Sequence, residues 1–281
     1  MTGRQNTAWT KITRTGISRS KKNFEQWKKE IHKNLNQLSH MVRFQKKRTG
    51  FGQSLGSLWL ILDPLLHTAL YFFIVTVLSG SGDIERLLKI AVAVTFWRYH
   101  SRIIGQSVNL FRNNIALLSQ IYFPLHLILM EFVAVNIMFF AYSLVGPIVL
   151  LLLNGYWPDI YWLWLIPLFL LQTLFSFTIG IYLSIVGTFF RDISGVLFFP
   201  LAIWWYISPG MYDVDKVPVD FRWVFDLNPF SYFFTGYHGA LLNDLGPNIP
   251  ALAILLLGSS LALVVGLKLL INARYYFFKY L

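Results

Sequence analysis

The sequence contains no cysteine, which excludes disulfides, thiolate metal sites and cysteine nucleophiles outright. Charge is scarce as well: 13% of the 281 residues are Asp, Glu, Lys or Arg, about half the ~25% of a soluble globular domain. No Gly-rich loop ends in Gly-Lys-Ser/Thr, so the chain has no such cradle for nucleotide phosphates. No His-Glu or paired-carboxylate pattern suggests hydrolysis. The six histidines, at 32, 40, 67, 100, 126 and 238, are scattered and lack the spacing of metal ligands. No catalytic residue, metal site or cofactor is therefore expected on this chain. Internal repeats are absent too, which counts against secondary transporters built from duplicated halves. Residues 1–23 hold no apolar core and no small-residue cleavage site, so no secretory signal is expected.

What the sequence does have is apolar length. Hydrophobic residues make up 56% of it, and the mean hydropathy is +0.54. A bilayer core of ~30 Å takes about 20 apolar residues as a helix. Such runs occur near 57–80, 87–107, 125–153, 161–187 and 250–271. Between the last two, residues 194–208 are apolar but stop at Pro209-Gly210, and residues 229–242 are apolar but few, with Gly236 and Gly239 inside. The second is too short to cross and too apolar for a free loop, so a re-entrant half-helix, or a pair of them, fits best; such irregular backbone survives at membrane depth only when buried in protein or lining a cavity. The expected fold is an all-α membrane protein with about six transmembrane helices and outer re-entrant half-helices.

The formal net charge of +11 is unevenly placed: thirteen of the 24 Lys and Arg residues precede Gly50, opposed there by Glu25 and Glu30 alone. This predicts a basic cytoplasmic tail over 1–23 and an amphipathic helix over 24–50, followed by a membrane domain over 51–281. In the helix, Phe24, Trp27, Ile31, Leu35, Leu38 and Val42 recur at spacings of three and four, with Asn23 as N-cap. An apolar stripe on a strongly basic helix suits the membrane interface, and packing on a partner protein suits it as well. The hydrophobic domain that follows makes nucleic acid an unsuitable partner for the basic arm. Putting that arm inside leaves the acidic residues 83, 85, 159, 213, 215, 220, 226 and 244 mostly outside, with both termini cytoplasmic. Four ionisable residues fall within apolar runs: Asp63, Arg98, Arg102 and Glu131. Such groups face a channel or pair with one another, and Arg98 or Arg102 is expected to do one of these, with Asp63 or Glu131 as the partner.

Five motifs occur in order. They are Ser54-Leu55-Gly56-Ser57-Leu58-Trp59 with Asp63-Pro64, the stretch from Asn114 to Pro124, Phe190-Arg191-Asp192-Ile193, Tyr206-Ile207-Ser208-Pro209, and Leu227-Asn228-Pro229-Phe230. Over about residues 45–270 the sequence resembles the ABC-2-type permeases, the family that exports O-antigen, capsule and teichoic-acid polymers. The resemblance implies a transport subunit that catalyses no bond-making. It would pair with a second copy around a channel in the plasma (inner) membrane, above two separate ATPase subunits that hold the ATP and Mg. The expected cargo is a lipid-linked polysaccharide. A small lipid or drug exporter, or an ion-coupled carrier or channel, is the alternative.

Residue by residue, the resemblance assigns coupling to the ATPase to Asn114, Leu117, Leu118, Tyr122, Phe123 and Pro124. Family members often carry basic residues where this chain has Ser119-Gln120, and a charged pair where it has Leu125-His126. It assigns an outer gate to Trp204, Trp205, Tyr206, Pro209, Tyr212, Asn228 and Pro229, whose aromatic rings would stack on sugar or pack. Lys46, Lys47 and Arg48 would attract a lipid phosphate, or simply anchor the helix to anionic lipid. The polymer, its lipid carrier and the dimer seam are not legible.

Overall fold

The computed structural model describes residues 11–13, 16–18, 24–50, 58–80, 82–118, 125–212, 214, 217–242 and 245–280. Within the tail, Lys11–Thr13 (β1) pairs antiparallel with Gly16–Ser18 (β2), a hairpin that composition alone does not suggest. Every other described element is helical.

The first helix, α1, runs Phe24–Gly50. Asn23 lies outside the described residues, as do the side chains of Lys46, Lys47 and Arg48. From Asn34 to Gln45 the less exposed positions are 34, 38, 41, 42 and 45, and this face packs on α6 (Leu125–Ser143). It includes two polar residues. The Asn34 amide lies 3.4 Å from His126 Nε2, and Gln45 hydrogen-bonds the Glu131 carboxyl. Leu35, a member of the expected stripe, is half exposed, so the contact face is turned from the stripe that hydrophobicity picks out.

Four helical stretches among the described residues are long and apolar enough to cross a membrane. They are Trp59–Leu78 in α2 (Trp59–Ser79), Leu125–Leu153 formed by α6 and α7 (Val145–Leu153), Ile160–Phe189 formed by a 3-10 turn and α8 (Leu165–Phe189), and Ile249–Ala273 in α13 (Ile249–Tyr280). Only 11% of the apolar stretch of α2 and 17% of that of α13 are buried. Phe73, Leu78, Leu257 and Leu261 point outward. Apolar surface of this extent needs hydrocarbon or another protein around it.

The run expected near 87–107 is α3 (Ile84–Ser107), capped by the Asp83 carboxylate on the Arg86 amide at 2.7 Å. It matches the four in length but carries Glu85, Arg86, Lys89, Arg98 and Arg102. It is also the centre of the fold. Residues 90–97 are all buried, on every face of the helix, because α2, α6, α7, α8, α10 (Phe198–Ile207) and α12 (Pro229–Leu242) pack around it. The remaining elements are short: α4 (Leu110–Asn113), α5 (Ile115–Leu118), α9 (Ile193–Val196) and α11 (Arg222–Leu227). At 1.5 Å per residue, α10 is about 15 Å long and α12 about 21 Å, so neither alone crosses ~30 Å of hydrocarbon.

Polar residues tie the apolar helices to α3. Gln172 of α8 is fully buried. Its Nε2 donates to the Phe96 carbonyl at 2.8 Å, and its Oε1 accepts from the Tyr237 hydroxyl of α12 at 2.7 Å. The Tyr237 ring stacks on Phe96, centroids 3.5 Å apart. One side chain thus joins three helices. Replacing Gln172 by Leu leaves the Tyr237 hydroxyl without a partner in a dry core. The expected loss is about 1–3 kcal/mol, measured as reduced thermal stability of the purified chain in detergent.

Candidate functional site

Three groups of residues carry the polar chemistry of this fold. The first lies between α2, α3 and α6. Asp63 sits in the first turns of α2, and its Oδ2 accepts from Arg98 Nη2 of α3. His67, one turn beyond Asp63, places Nδ1 2.8 Å from the Asp63 carbonyl and Nε2 3.4 Å from Arg98 Nη1. Arg102, one turn along α3 from Arg98, holds its guanidinium carbon 4.1 Å from the centre of the Phe139 ring. Its buried Nε has no hydrogen-bond partner among the described residues. Asp63, Arg98, Arg102 and Phe139 border a cavity of about 370 Å³ that also takes in Gln106 and Ser143. The ion pair expected within the membrane segments is therefore Arg98 with Asp63. Glu131 stands apart from it, on Gln45 of α1. His67 was not singled out from sequence, although its spacing of four from Asp63 was visible.

The second group is the turn after α3. The expected coupling region, residues 114–124, begins between two four-residue helices, α4 before it and α5 within it; Asn114 separates them, and its Nδ2 donates to the Leu110 carbonyl at 2.9 Å. Leu118 is buried and Leu117 half-buried, while Ile115 and Ala116 are exposed. Tyr122, Phe123 and Pro124 lie outside the described residues. Arg112 fixes the segment to α8: Nη1 donates to Asn109 Oδ1 at 2.9 Å and Nη2 to the Gly187 carbonyl at 2.7 Å. Gly187 is where α8 meets the end of α3. A Cβ there would lie 2.2 Å from the Val108 carbonyl oxygen, so only glycine fits this crossing. Neither residue stood out in the sequence, because their meeting spans 75 positions.

The third group is the break between α10 and α12. Asn228 is its hub. Oδ1 accepts from Trp204 Nε1 and from the Phe230 amide, each at 3.0 Å, and Nδ2 donates to Ser208 Oγ at 2.9 Å. Asn228 thereby caps α12 at its N-terminus, and Pro229 takes the first helical position, which needs no amide proton. Pro209 leads into Gly210, whose missing Cβ would lie 3.0 Å from Ala93 of α3.

The expected gate aromatics divide. Trp204 packs against Trp97, His100 and Phe230. Trp205 is 2% exposed among Tyr71, Trp97 and Phe234. Tyr206 is 57% exposed. The Tyr212 hydroxyl donates to the Tyr206 carbonyl at 2.7 Å. Burial pushes that hydroxyl above its ordinary pKa, keeping it a neutral donor.

Residues 36–242 match the ABC-2 type transporter family. Two Klebsiella pneumoniae proteins, each named O-antigen export system permease protein RfbA, are 25% and 26% identical over 79% of this chain and 86% of their own length. A Myxococcus xanthus protein of that name is 25% identical over 74% of this chain and 81% of its own length.

Two substitutions test the geometry. Asn228→Ala strands the Trp204 indole and the Phe230 amide, and is expected to cost about 2 kcal/mol or more, read as a lower thermal midpoint and faster proteolysis between α10 and α12. Gly187→Ala drives a methyl group into a main-chain carbonyl. A loss of about 1–3 kcal/mol is expected, checked by the same melting measurement, where an unchanged midpoint would mean that α8 and α3 separate freely.

Proposed function

The chain belongs to the ABC-2 type transporter family, and from that premise we propose that it is the membrane-spanning permease subunit of an ATP-driven exporter. Its cargo is a lipid-linked polysaccharide of the O-antigen kind, moved from the cytoplasm to the outer face of the cell membrane. The observation that carries this reading is the match to curated permeases named for O-antigen export, which runs along 74% to 79% of the chain.

In this reading two copies pair around the path. ATP and Mg are held by a separate ATPase pair, which α4, α5 and residues 119–124 contact from the cytoplasmic side. A short helical segment fixed to the end of a long helix is a fitting place for a push from below. Six crossings follow if α2, α3, α6 with α7, α8, Ile193–Ile207 and α13 each pass once. An even number puts both termini in the cytoplasm, as the charge of the arm favours. α12 then re-enters from the outer side, covered by α3, by α8 and by the turn before α8.

The decisive experiment uses a strain lacking this chain. Surface polysaccharide is expected to vanish while its lipid-linked form builds up inside, detectable only after permeabilising the cells. Normal surface polymer with no internal pool would sink the polysaccharide reading and move a small-lipid exporter into first place.

A further inference from the structure

The cavity between α2, α3 and α6 contains more positive than negative charge. Arg98 and Arg102 face it, and Asp63 is the single carboxylate in its lining. Asp63 is engaged with Arg98. Arg102 forms no ion pair with any described residue, and Asp63 and Arg98 are both near enough to act on its charge. A guanidinium is always protonated in proteins, and a ring face offsets only part of what its removal from water costs. The rest of the lining is uncharged: Tyr99, Ser101, Gln106 and Ser143 bring polar groups, and Phe139 and Phe140 bring ring faces. An anion is the missing element.

Its shape follows from the helix. Residues 98 and 102 stand one turn apart on one face, ~5–6 Å between their Cβ atoms. Two planar forks at that distance suit a tetrahedral oxyanion bridging both. A second cavity, of about 320 Å³, shares Phe140 with the first as a common wall. Its lining is carbon throughout, from Val92, Phe96, Leu144 and Phe169 among others. An anionic head on one side of Phe140 and a hydrocarbon chain on the other is the layout of a lipid phosphate.

We propose that these two cavities form a single binding site for a membrane lipid with a phosphate head, held by Arg102 and Arg98, with its chain beyond Phe140. Asp63 occupies Arg98 while the site is empty, and the incoming phosphate competes with it. That the bound lipid is cargo rests on the export reading. The binding itself does not.

The test uses the full chain in nanodiscs of phosphatidylcholine containing a few per cent phosphatidic acid, with retained lipid counted by native mass spectrometry. Arg102→Gln is expected to lower phosphatidic acid retention about tenfold or more, the loss of one charge-assisted contact. Arg102→Lys, which keeps the charge and the fold, is expected to retain an intermediate amount, and Asp63→Asn to retain more than the unaltered chain. Exposed Arg43 on α1 is the control, and Arg43→Gln is expected to change nothing. Equal retention in Arg102→Gln and the unaltered chain overturns the proposal, as does an equal loss in Arg43→Gln. Millimolar inorganic phosphate is expected to leave the lipid in place. Full displacement would mean a site for free phosphate and would overturn the lipid assignment. Arg102-dependent retention beside a deletion strain that traps no polymer would sink the export reading and leave this site standing.

Discussion

Hydrocarbon gives an apolar helix no reason to prefer another helix to lipid. Something other than hydrophobicity must therefore hold a bundle of such helices in one arrangement. Here it is a set of buried and half-buried polar contacts converging on α3. Gln172 joins α8 and α12 to the Phe96 carbonyl. His100 Nδ1 meets Ser176 Oγ at 2.7 Å, the Tyr99 hydroxyl meets Thr173 Oγ1 at 2.9 Å, and Asp63 brings α2 to Arg98. Each is worth more as a constraint than as energy, because a polar group at that depth has few other partners. After α1, the most charged of the helices is α3, and it is the one the others pack around.

Close approach does the rest. Gly180 lets α8 lie against Ser107, Gly187 lets it reach Val108, and Gly210 brings the break after α10 onto Ala93. These contacts are short-range and sterically exact, in contrast to the loosely covered outer faces of α2 and α13. The fold thus has a specified interior, built from polar pairs and missing Cβ atoms, and an outer surface whose only requirement is to be apolar.

That division explains what the sequence made legible. Long apolar runs placed α2, α6 with α7, α8 and the apolar stretch Ile249–Ala273 of α13 to within a few residues, because the signal is length and composition and nothing tertiary competes with it. The short segments around 203–243 were visible as irregular for the same reason. The contact face of α1 was visible only in part: Leu38 and Val42 of the apolar stripe lie on it, but Asn34 and Gln45 are polar and hydropathy counts them as outward-facing. The Asp63–Arg98 pair could be anticipated as two charges in apolar surroundings, yet the choice of Asp63 over Glu131 depends on which helices meet. Arg112 with Gly187 and Trp204 with Asn228 lie beyond any local pattern. Their spacing in the chain says nothing about their meeting in space.

α8 touches the short helix α4 through Gly187 and Arg112 near one end. Near the other it carries Leu168, against which Gly236 of α12 rests, with a Cβ there only 3.0 Å from the Leu168 side chain. The helix between them is continuous over its 25 residues, about 37 Å of rod. A rod of fixed length has one axial coordinate, not two. The turn after α3 and the half-helix α12 cannot then be positioned independently along that axis, and the exposure of one is a gauge of the position of the other.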